Sequence, residues 1–560
     1  MQRYKRDIIV VTFVKGKKIM KRFKYILTLV LCASMALSLS AQSDSFKAGK
    51  NLNVQFSILK ELQRSYVDTV QMDELVLDGI NAMLSKLDPY TIYVPEENEE
   101  DMELLMNGTY GGIGAVVQKK VDGPVVITEP YKDSPASKFG LVPGDQIIEI
   151  DNKSVIGETS AESTSRMKGV PGSNVLFKVV KMRSGDTVLV DVVRERIRVS
   201  SLDYAGILRD SIGYIRLSGF ITGTAKEVRN AFLDLKKDGA KKIVLDLRDN
   251  GGGSLAEAVE IVSLFVPKGT LVISSKGKIE GSNKEYYTTS HPVDTLVPIM
   301  VMINSGSASA SEIVAGAIQD LDRGFVAGKR SFGKGLVQSV VPMPFDGKLK
   351  YTTAKYYTPS GRCVQAIDYS HRNEDGSVGN IPDSLTSEFT TKKGRIVKDG
   401  GGITPDIEID NIVYGRVSFS VVFNNIVSDY AMDYYKKHPT IAPAEEFVLT
   451  DEGYDDFVKF AASREFDARS VSQVEMDDLL KKAKEEGMYE IFKSEFDALS
   501  DKLNLSKEEA LKMAKDELLP IIEAEILAKY YFREASIFPE LRCDKQLEEA
   551  LDSWKSNFPL

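Results

Sequence analysis

The chain is 560 residues long, 43% hydrophobic and 27% charged, with a formal net charge of −9. This is the balance of a globular protein with ample core-forming material, divided among several domains of roughly 100–200 residues; wholesale disorder, a collagen-like rod and a polytopic membrane protein are excluded. Residues 1–41 carry nine Lys and Arg against Asp7 alone, so the remainder carries −17 and repels polyphosphate backbones; nucleic acid is not an expected partner.

From Met20, a second candidate for the start, a basic segment precedes an apolar run from Tyr25 to Leu37 and then the small residues Ser38, Ser40 and Ala41. The pattern predicts a secretory signal peptide over 1–41 and an exported chain, periplasmic and, if the apolar run is retained, membrane-associated. About a dozen apolar residues fall short of the ~20 that span a bilayer. Cys32 follows the bulky Leu31, where a lipoprotein signal wants a small residue. That leaves Cys363 and Cys543, whose pairing the sequence leaves open, and no Cys/His spacing that suggests a metal; no cofactor is expected.

Residues 42–107 read as an N-terminal helical region, with Val54, Ile58 and Leu62, then Leu75, Ile80, Met83, Leu84 and Leu87, on apolar stripes that end at Asp88-Pro89. The stripes serve packing against the chain's own body or against a second copy. From about Gly108 the texture changes to short β-branched runs punctuated by Gly and Pro, which predicts a small β-rich module over 108–197. After Ser200, strands such as SIGYIRL, KKIVLDL and PIMVMIN alternate with helical patterns at 224–238, 254–266 and 309–320, which predicts an α/β core over 198–411 with a mostly parallel sheet. Residues 366–400 look like a long surface insertion. Residues 412–560 read as a charged helical region in which Ser506-x-x-Glu509 is a capping box. Dimerisation and adaptor docking are both open roles for it.

In the β-rich module, Gly111-Gly112-Ile113-Gly114 precedes the strand-like Ala115-Val116-Val117-Gln118. Glycine-permitted backbone can turn N–H groups toward an anion while the strand offers an edge, the combination that captures a peptide's terminal carboxylate. With Asp133-Ser134-Pro135-Ala136 and Gly140-Leu141-Val142-Pro143-Gly144-Asp145, the module resembles a PDZ domain. The resemblance implies that Gly112, Ile113, Gly114 and Ala115 form the carboxylate loop, with protein tails as the ligand.

Three constellations in the core compete for chemistry. Asp246-Leu247-Arg248-Asp249-Asn250-Gly251-Gly252-Gly253 joins a strand to a helix, where amides can face a negative oxygen or simply make a tight turn. Gly328 to Gly335 matches a phosphate loop up to its last position, but Gly335 brings no hydroxyl and a strand follows, which sets nucleotide binding aside. Ser307, Ser309 and Ser311 stand where PIMVMI gives way to a helix. Ser309-x-x-Glu312 there is a formal capping box, yet a hydroxyl at a helix N-terminus also has backbone donors beside it for an oxyanion. Spacing does not choose among the three serines. None of His291, His371 and His438 has a triad-like context, so Lys334, between glycines, is the candidate base. To be neutral near pH 7 it must fall by about 3.4 units from its ordinary value, which requires a dry site free of a carboxylate partner.

Ser307 to Glu312, Ser331-Phe-Gly-Lys-Gly335, Tyr357-Thr-Pro-Ser-Gly-Arg362 and Gly402-Ile-Thr-Pro-Asp-Ile407 resemble the carboxy-terminal processing peptidases, family S41, over roughly residues 50–410. The resemblance implies a serine–lysine dyad of Ser309 and Lys334, Gln338 to orient the lysine, and oxyanion donors at the amides of Gly252 and Ala310. Lys168-Gly169 stands where the family often has Arg-Gly, and Cys363 departs from the expected small polar residue. The expectation is a multidomain α+β chain: N-terminal helices, PDZ domain, α/β serine-protease core and helical C-terminal region. It would act as an exported endopeptidase on unstructured C-terminal tails through an acyl-enzyme, with its terminal helices open to homo-oligomer formation. The alternative is a non-catalytic PDZ-based scaffold with an inert peptidase-like core.

Overall fold

The computed structural model describes residues 46–96, 107–119, 122–369, 371–373 and 377–557; the predicted signal peptide lies outside them. The chain divides into two units, up to Pro89 and from Tyr90 onward. In the first, helices run over residues 46–65 and Met72–Leu84, the latter opening with Asp73 and Glu74 where the helix dipole favours acids.

The second unit opens with a short strand, β1 (Ile92–Val94), inside a stretch read as helical from the sequence. A β-rich module follows: β2 (Thr109–Gly112), β3 (Ala115–Lys119), β4 (Val125–Pro130), β5 (Gln146–Ile150), β6 (Lys153–Ser154), β7 (Asn174–Val180), β8 (Thr187–Val193) and β9 (Glu195–Arg198). Its main sheet runs β3-β4-β5-β7-β8, so β3 is an edge strand. Alternate residues Val125, Ile127, Val175, Phe177 and Val179 are buried together, the period of two that a half-covered sheet imposes.

The core holds two sheets. The first takes β10 (Leu202–Leu208), β11 (Ile212–Leu217), β12 (Lys242–Asp246), β15 (Ile299–Ile303), β16 (Phe325–Gly328) and β21 (Ile407–Glu408), in that order; β10 is antiparallel to β11 and the other neighbours are parallel. The second combines β1, β13 (Leu271–Gly277), β14 (Lys284–Tyr287), β17 (Leu336–Pro342) and β18 (Lys348–Tyr357), all antiparallel. The expected mostly parallel sheet therefore describes one of the two, and across the described residues antiparallel pairing predominates. The reason is local: β17 and β18 are joined by a short turn, which permits only a hairpin.

Alternation along the first sheet separates its faces. Ile215, Leu217, Ile243, Leu245, Val301 and Val326 pack with the helices Thr224–Lys237, Leu255–Ser263 and Ala310–Asp320. Tyr214, Val244, Met300, Met302 and Ala327 point the other way, onto Leu547, Ala550, Leu551 and Trp554 of the last helix, Lys545–Asn557. These four follow the i, i+3, i+4, i+7 spacing of one helical stripe. The rest of the C-terminal region is helical with its own core around Tyr430, Phe457, Leu511 and Ile522, and Ser506 and Glu509 form the expected capping box.

Among its described residues, the stretch 366–400, expected as a surface insertion, is tied to the core. It contains the hairpin β19 (Glu388–Thr390) and β20 (Ile396–Lys398), and Arg395 donates to Asp322 (2.6 Å), to the Gln319 carbonyl (2.9 Å) and to Asp406. Cys363 and Cys543 are free thiols.

Because Trp554 is buried on a sheet face no other helix of the first sheet's own crossovers reaches, Trp554→Ala is expected to cost about 3–5 kcal/mol. Thermal unfolding would show a lowered midpoint for the core transition; an unchanged midpoint would mean the helix is not docked in solution.

Candidate active site

Parallel pairing of β12 with β15, in a register that sets Asp246 beside Met302, brings the loops after the two strands together. They are laced to each other. Ser307 Oγ donates to the Leu247 carbonyl (2.7 Å) and accepts from Asn304 N, while Ser311 Oγ donates to the Asn250 carbonyl (2.8 Å). Ala308 N reaches the same carbonyl, and Asp249 N donates to Asn304 Oδ1. Ser307 and Ser311 are fully buried, with their hydroxyls committed to these ties.

Ser309 is different. It is half-buried and takes φ 55°, ψ −109°, a sparsely populated conformation that costs on the order of 1–3 kcal/mol and is held only by its surroundings. The structure thus separates the three serines that spacing left equal. Gly252 lies directly against Ser309: a Cβ there would stand 2.6 Å from the Ala308 carbonyl and 2.8 Å from both Ala310 N and Ser309 Cβ, and its φ of +98° is itself a glycine conformation. The predicted oxyanion donors, Gly252 and Ala310, are therefore neighbours across the serine. The Gly252 amide donates to Asn250 Oδ1 (2.9 Å), and the Ala310 amide has no acceptor among the described residues.

The loop bearing Lys334 is fastened to the same place by Glu312, whose side chain is fully buried. One carboxylate oxygen accepts from Ser309 N (2.8 Å) and Lys334 N (2.9 Å), the other from Ser331 Oγ (2.6 Å) and Gly333 N (2.8 Å). Burial pushes this carboxyl above its ordinary value and the four donors pull it back. Glu312 meets Lys334 through the backbone N–H of that residue. Tyr356, buried beneath, donates to the Ser309 carbonyl (3.2 Å); its hydroxyl is held well above the usual phenol range by burial and by the nearby Glu312 charge.

Lys334 is half-buried and its ammonium lies 4.2 Å from the ring centroid of Tyr90, which stands edge-on to Tyr369. Gln338 is on β17 and its amide donates to Thr352 Oγ1 (3.4 Å) across the hairpin; Tyr90 is the ring that touches the ammonium. Sequence reasoning missed Tyr90, which precedes Lys334 by more than 200 residues, and treated Glu312 as a helix cap. The apolar run after Glu312, Ile313-Val314-Ala315, was the available sign that the cap would be buried.

In the β-rich module, the Ile113 carbonyl accepts from Ala136 N (2.8 Å) and the Gly114 carbonyl from Tyr131 N (2.9 Å). In a trans peptide the next amide points the opposite way, so the Ala115 N–H faces away from β4 at the open edge of β3, while the buried Gly114 N–H is directed at the Tyr110 hydroxyl. Gly112 and Ile113 are buried at the base of this loop. Among the described residues no cluster of His, Cys, Asp and Glu could hold a metal ion.

Glu312→Gln replaces an acceptor of four bonds by a group that must present an N–H to two of its donors. A loss on the order of 3 kcal/mol is expected, read as a lower thermal midpoint, since each buried donor left unmade costs roughly 1–3 kcal/mol.

Residues 211–370 match peptidase family S41, 126–181 a PDZ domain, and 417–553 the C-terminal helical domain of a probable PDZ-protease. The chain is 35% identical over 342 residues to the carboxy-terminal-processing protease of Bartonella bacilliformis, with 60% of this chain and 78% of the relative covered. It is 36% identical over 320 residues to a probable CtpA-like serine protease of Staphylococcus aureus, covering 56% of this chain and 62% of that one. Among solved structures, a photosystem II D1 C-terminal processing protease is 24% identical, with 63% of this chain and 92% of that chain covered at a TM-score of 0.33. Identity of 35% maintained across 78% of a relative exceeds what a shared fold requires, and on that footing the chain belongs to the carboxy-terminal-processing protease family, peptidase family S41.

Proposed function

We propose that this protease is an exported, periplasmic serine endopeptidase that grips unstructured protein tails by their carboxyl end in the PDZ groove and cuts them with a Ser309–Lys334 dyad. The observation that carries the reading is the strained Ser309 at a helix start, pressed against Gly252, with its amide and that of Lys334 on one oxygen of Glu312.

In this scheme neutral Lys334 takes the proton of Ser309 as its oxygen attacks the scissile carbonyl, then returns it to the leaving amine; water hydrolyses the acyl-enzyme. The amides of Ala310 and Gly252 stabilise the oxyanion, the latter turning from Asn250 Oδ1 or sharing its hydrogen with it. The tail would add to the edge of β3 with its carboxylate at the Gly112–Ala115 loop, where the Ala115 amide is presented.

Cleavage of an unfolded, tail-bearing substrate tests the core of this reading. Ser309→Ala and Lys334→Ala are each expected to abolish it with folding intact, and Gly252→Ala to lower kcat by about 100-fold or more. Cleavage by Ser309→Ala equal to the parent would remove the dyad, and an inactive parent that still binds tails would leave only a scaffold.

The Tyr90 contact gives a pH prediction with a definite sign. An aromatic face stabilises the ammonium by roughly 0.5–2 kcal/mol, so it holds Lys334 in the form that cannot act as a base. The rate should rise with pH as the amine loses its proton. In Tyr90→Leu that limb should move to lower pH by about 0.4 to 1.5 units, at 1.36 kcal/mol per unit, with the plateau kept. A limb that stays put or moves upward would contradict the contact's role.

A further inference from the structure

Arg248 stands at the start of the loop that ends in Gly252, and its guanidinium is held from two directions. Nε donates to both oxygens of Asp246 (3.0 Å each) and Nη2 to Asp246 Oδ2 (2.5 Å), while Tyr214 also donates to that oxygen (2.6 Å). On the far side Nη1 donates to Asp544 Oδ1 (3.1 Å) and Gln546 Oε1 (3.0 Å), and Nη2 to Asp544 Oδ2 (2.5 Å). Asp544 and Gln546 lie at the start of the last helix, 296 and 298 residues away. Asp544 Oδ1 also accepts from Leu547 N (2.9 Å), and Gln546 Nε2 donates to the Asp410 carbonyl (2.7 Å), so the clasp is itself fixed to the helix and to the end of β21.

The three charged side chains are nearly shielded from water, Arg248 at 13% exposure, Asp246 at 1% and Asp544 at 12%. Burial works against the Asp246 charge, yet Arg248 holds that carboxyl below its ordinary value. A guanidinium forked between two carboxylates has little freedom, and the direction of its fork fixes the backbone it grows from. That backbone continues through Asp249, at φ 57°, to Asn250, whose side chain engages Gly252 N and whose carbonyl receives Ala308 N and Ser311 Oγ.

We propose that the last helix is a working part of the protease site: Asp544 is a positioning residue that, through Arg248, sets the 248–252 loop and so the Gly252 amide against Ser309. This rests on the reading of Ser309 and Gly252 above. It assigns the end of the helical region, outside the S41 match at 211–370, to catalysis rather than to partner binding alone.

The test compares full-length Asp544→Asn and Asp544→Ala with Leu551→Ala, which loosens the same helix without touching Arg248. The readouts are kcat and KM on an unfolded, tail-bearing substrate, affinity for a peptide boronate that occupies the oxyanion site, and hydrogen exchange of the 247–253 amides. Asp544→Ala is expected to lower kcat at least tenfold with KM within twofold, to weaken the boronate by a similar factor and to speed exchange in the loop. Asp544→Asn, which keeps one carbonyl acceptor, should fall between it and the parent. Leu551→Ala should lower the thermal midpoint and leave kcat below that midpoint within twofold. If Asp544→Ala matches Leu551→Ala in kcat at equal folded fraction, or the loop amides exchange at parental rates, the positioning role is overturned. The exchange readout needs no turnover, so an inactive parent would sink the dyad while still deciding the clasp.

Discussion

A carboxylate deprived of water is the constraint around which the catalytic core is arranged. Burying Glu312 is tolerable because four donors converge on it, and those donors come from the two loops that carry the proposed nucleophile and base. An amide or hydroxyl in its place could not accept from all four. Three of the donors are backbone N–H groups that would otherwise be buried unpaired, so the loops cannot separate without stranding them. The relative position of Ser309 and Lys334 is thereby a consequence of hydrogen-bond satisfaction, and the Lys334 ammonium lies over Tyr90.

The serine-rich sequence around Ser309 follows from the same economy of partners. Where two parallel strands end side by side, their loops need short side chains that can reach the neighbouring carbonyls, and Ser307 and Ser311 do this from either flank. Their bonds pin the backbone on both sides of Ser309, which lets that residue be held at an unfavourable φ and ψ. Gly252 is the reciprocal requirement on the other loop, since any Cβ would displace Ser309.

Much of this was legible because local pattern carries it. Period-two and period-3.6 runs marked the β-rich module, the crossover helices and the helical C-terminal region, and the glycine and serine motifs marked both loops of the site. What escaped depends on contacts between distant positions. The sequence before β1 gave no sign that Ile92–Val94 would pair with Lys348–Lys350, or that Tyr90 would reach Lys334. Glu312 satisfied the local rule for a cap, and the same geometry serves a buried hub; only the packing around it distinguishes the two. Residues 366–400 looked like a surface insertion because Gly, Ser, Asp and Lys are frequent there, whereas the Arg395 side chain ties its hairpin to Asp322 and the Gln319 carbonyl.

The placement of the last helix follows from connectivity. Strands β11, β12, β15 and β16 advance along the sheet in one direction, and right-handed crossovers advancing one way deposit every intervening helix on the same face. A parallel sheet needs both faces covered, so Tyr214, Val244, Met300 and Met302 require a helix that the crossovers cannot supply. Only a segment from outside that run of strands can provide it, and Lys545–Asn557, with its stripe of Leu547, Ala550, Leu551 and Trp554, does so. The helix that covers this face begins next to the ends of β11 and β12, where Arg248 emerges, so the same helix closes the sheet and clasps the first residue of the 248–252 loop. In this chain the second face of the sheet is closed by the C-terminal region, which makes the helical region part of the core's packing before it is a surface for anything else.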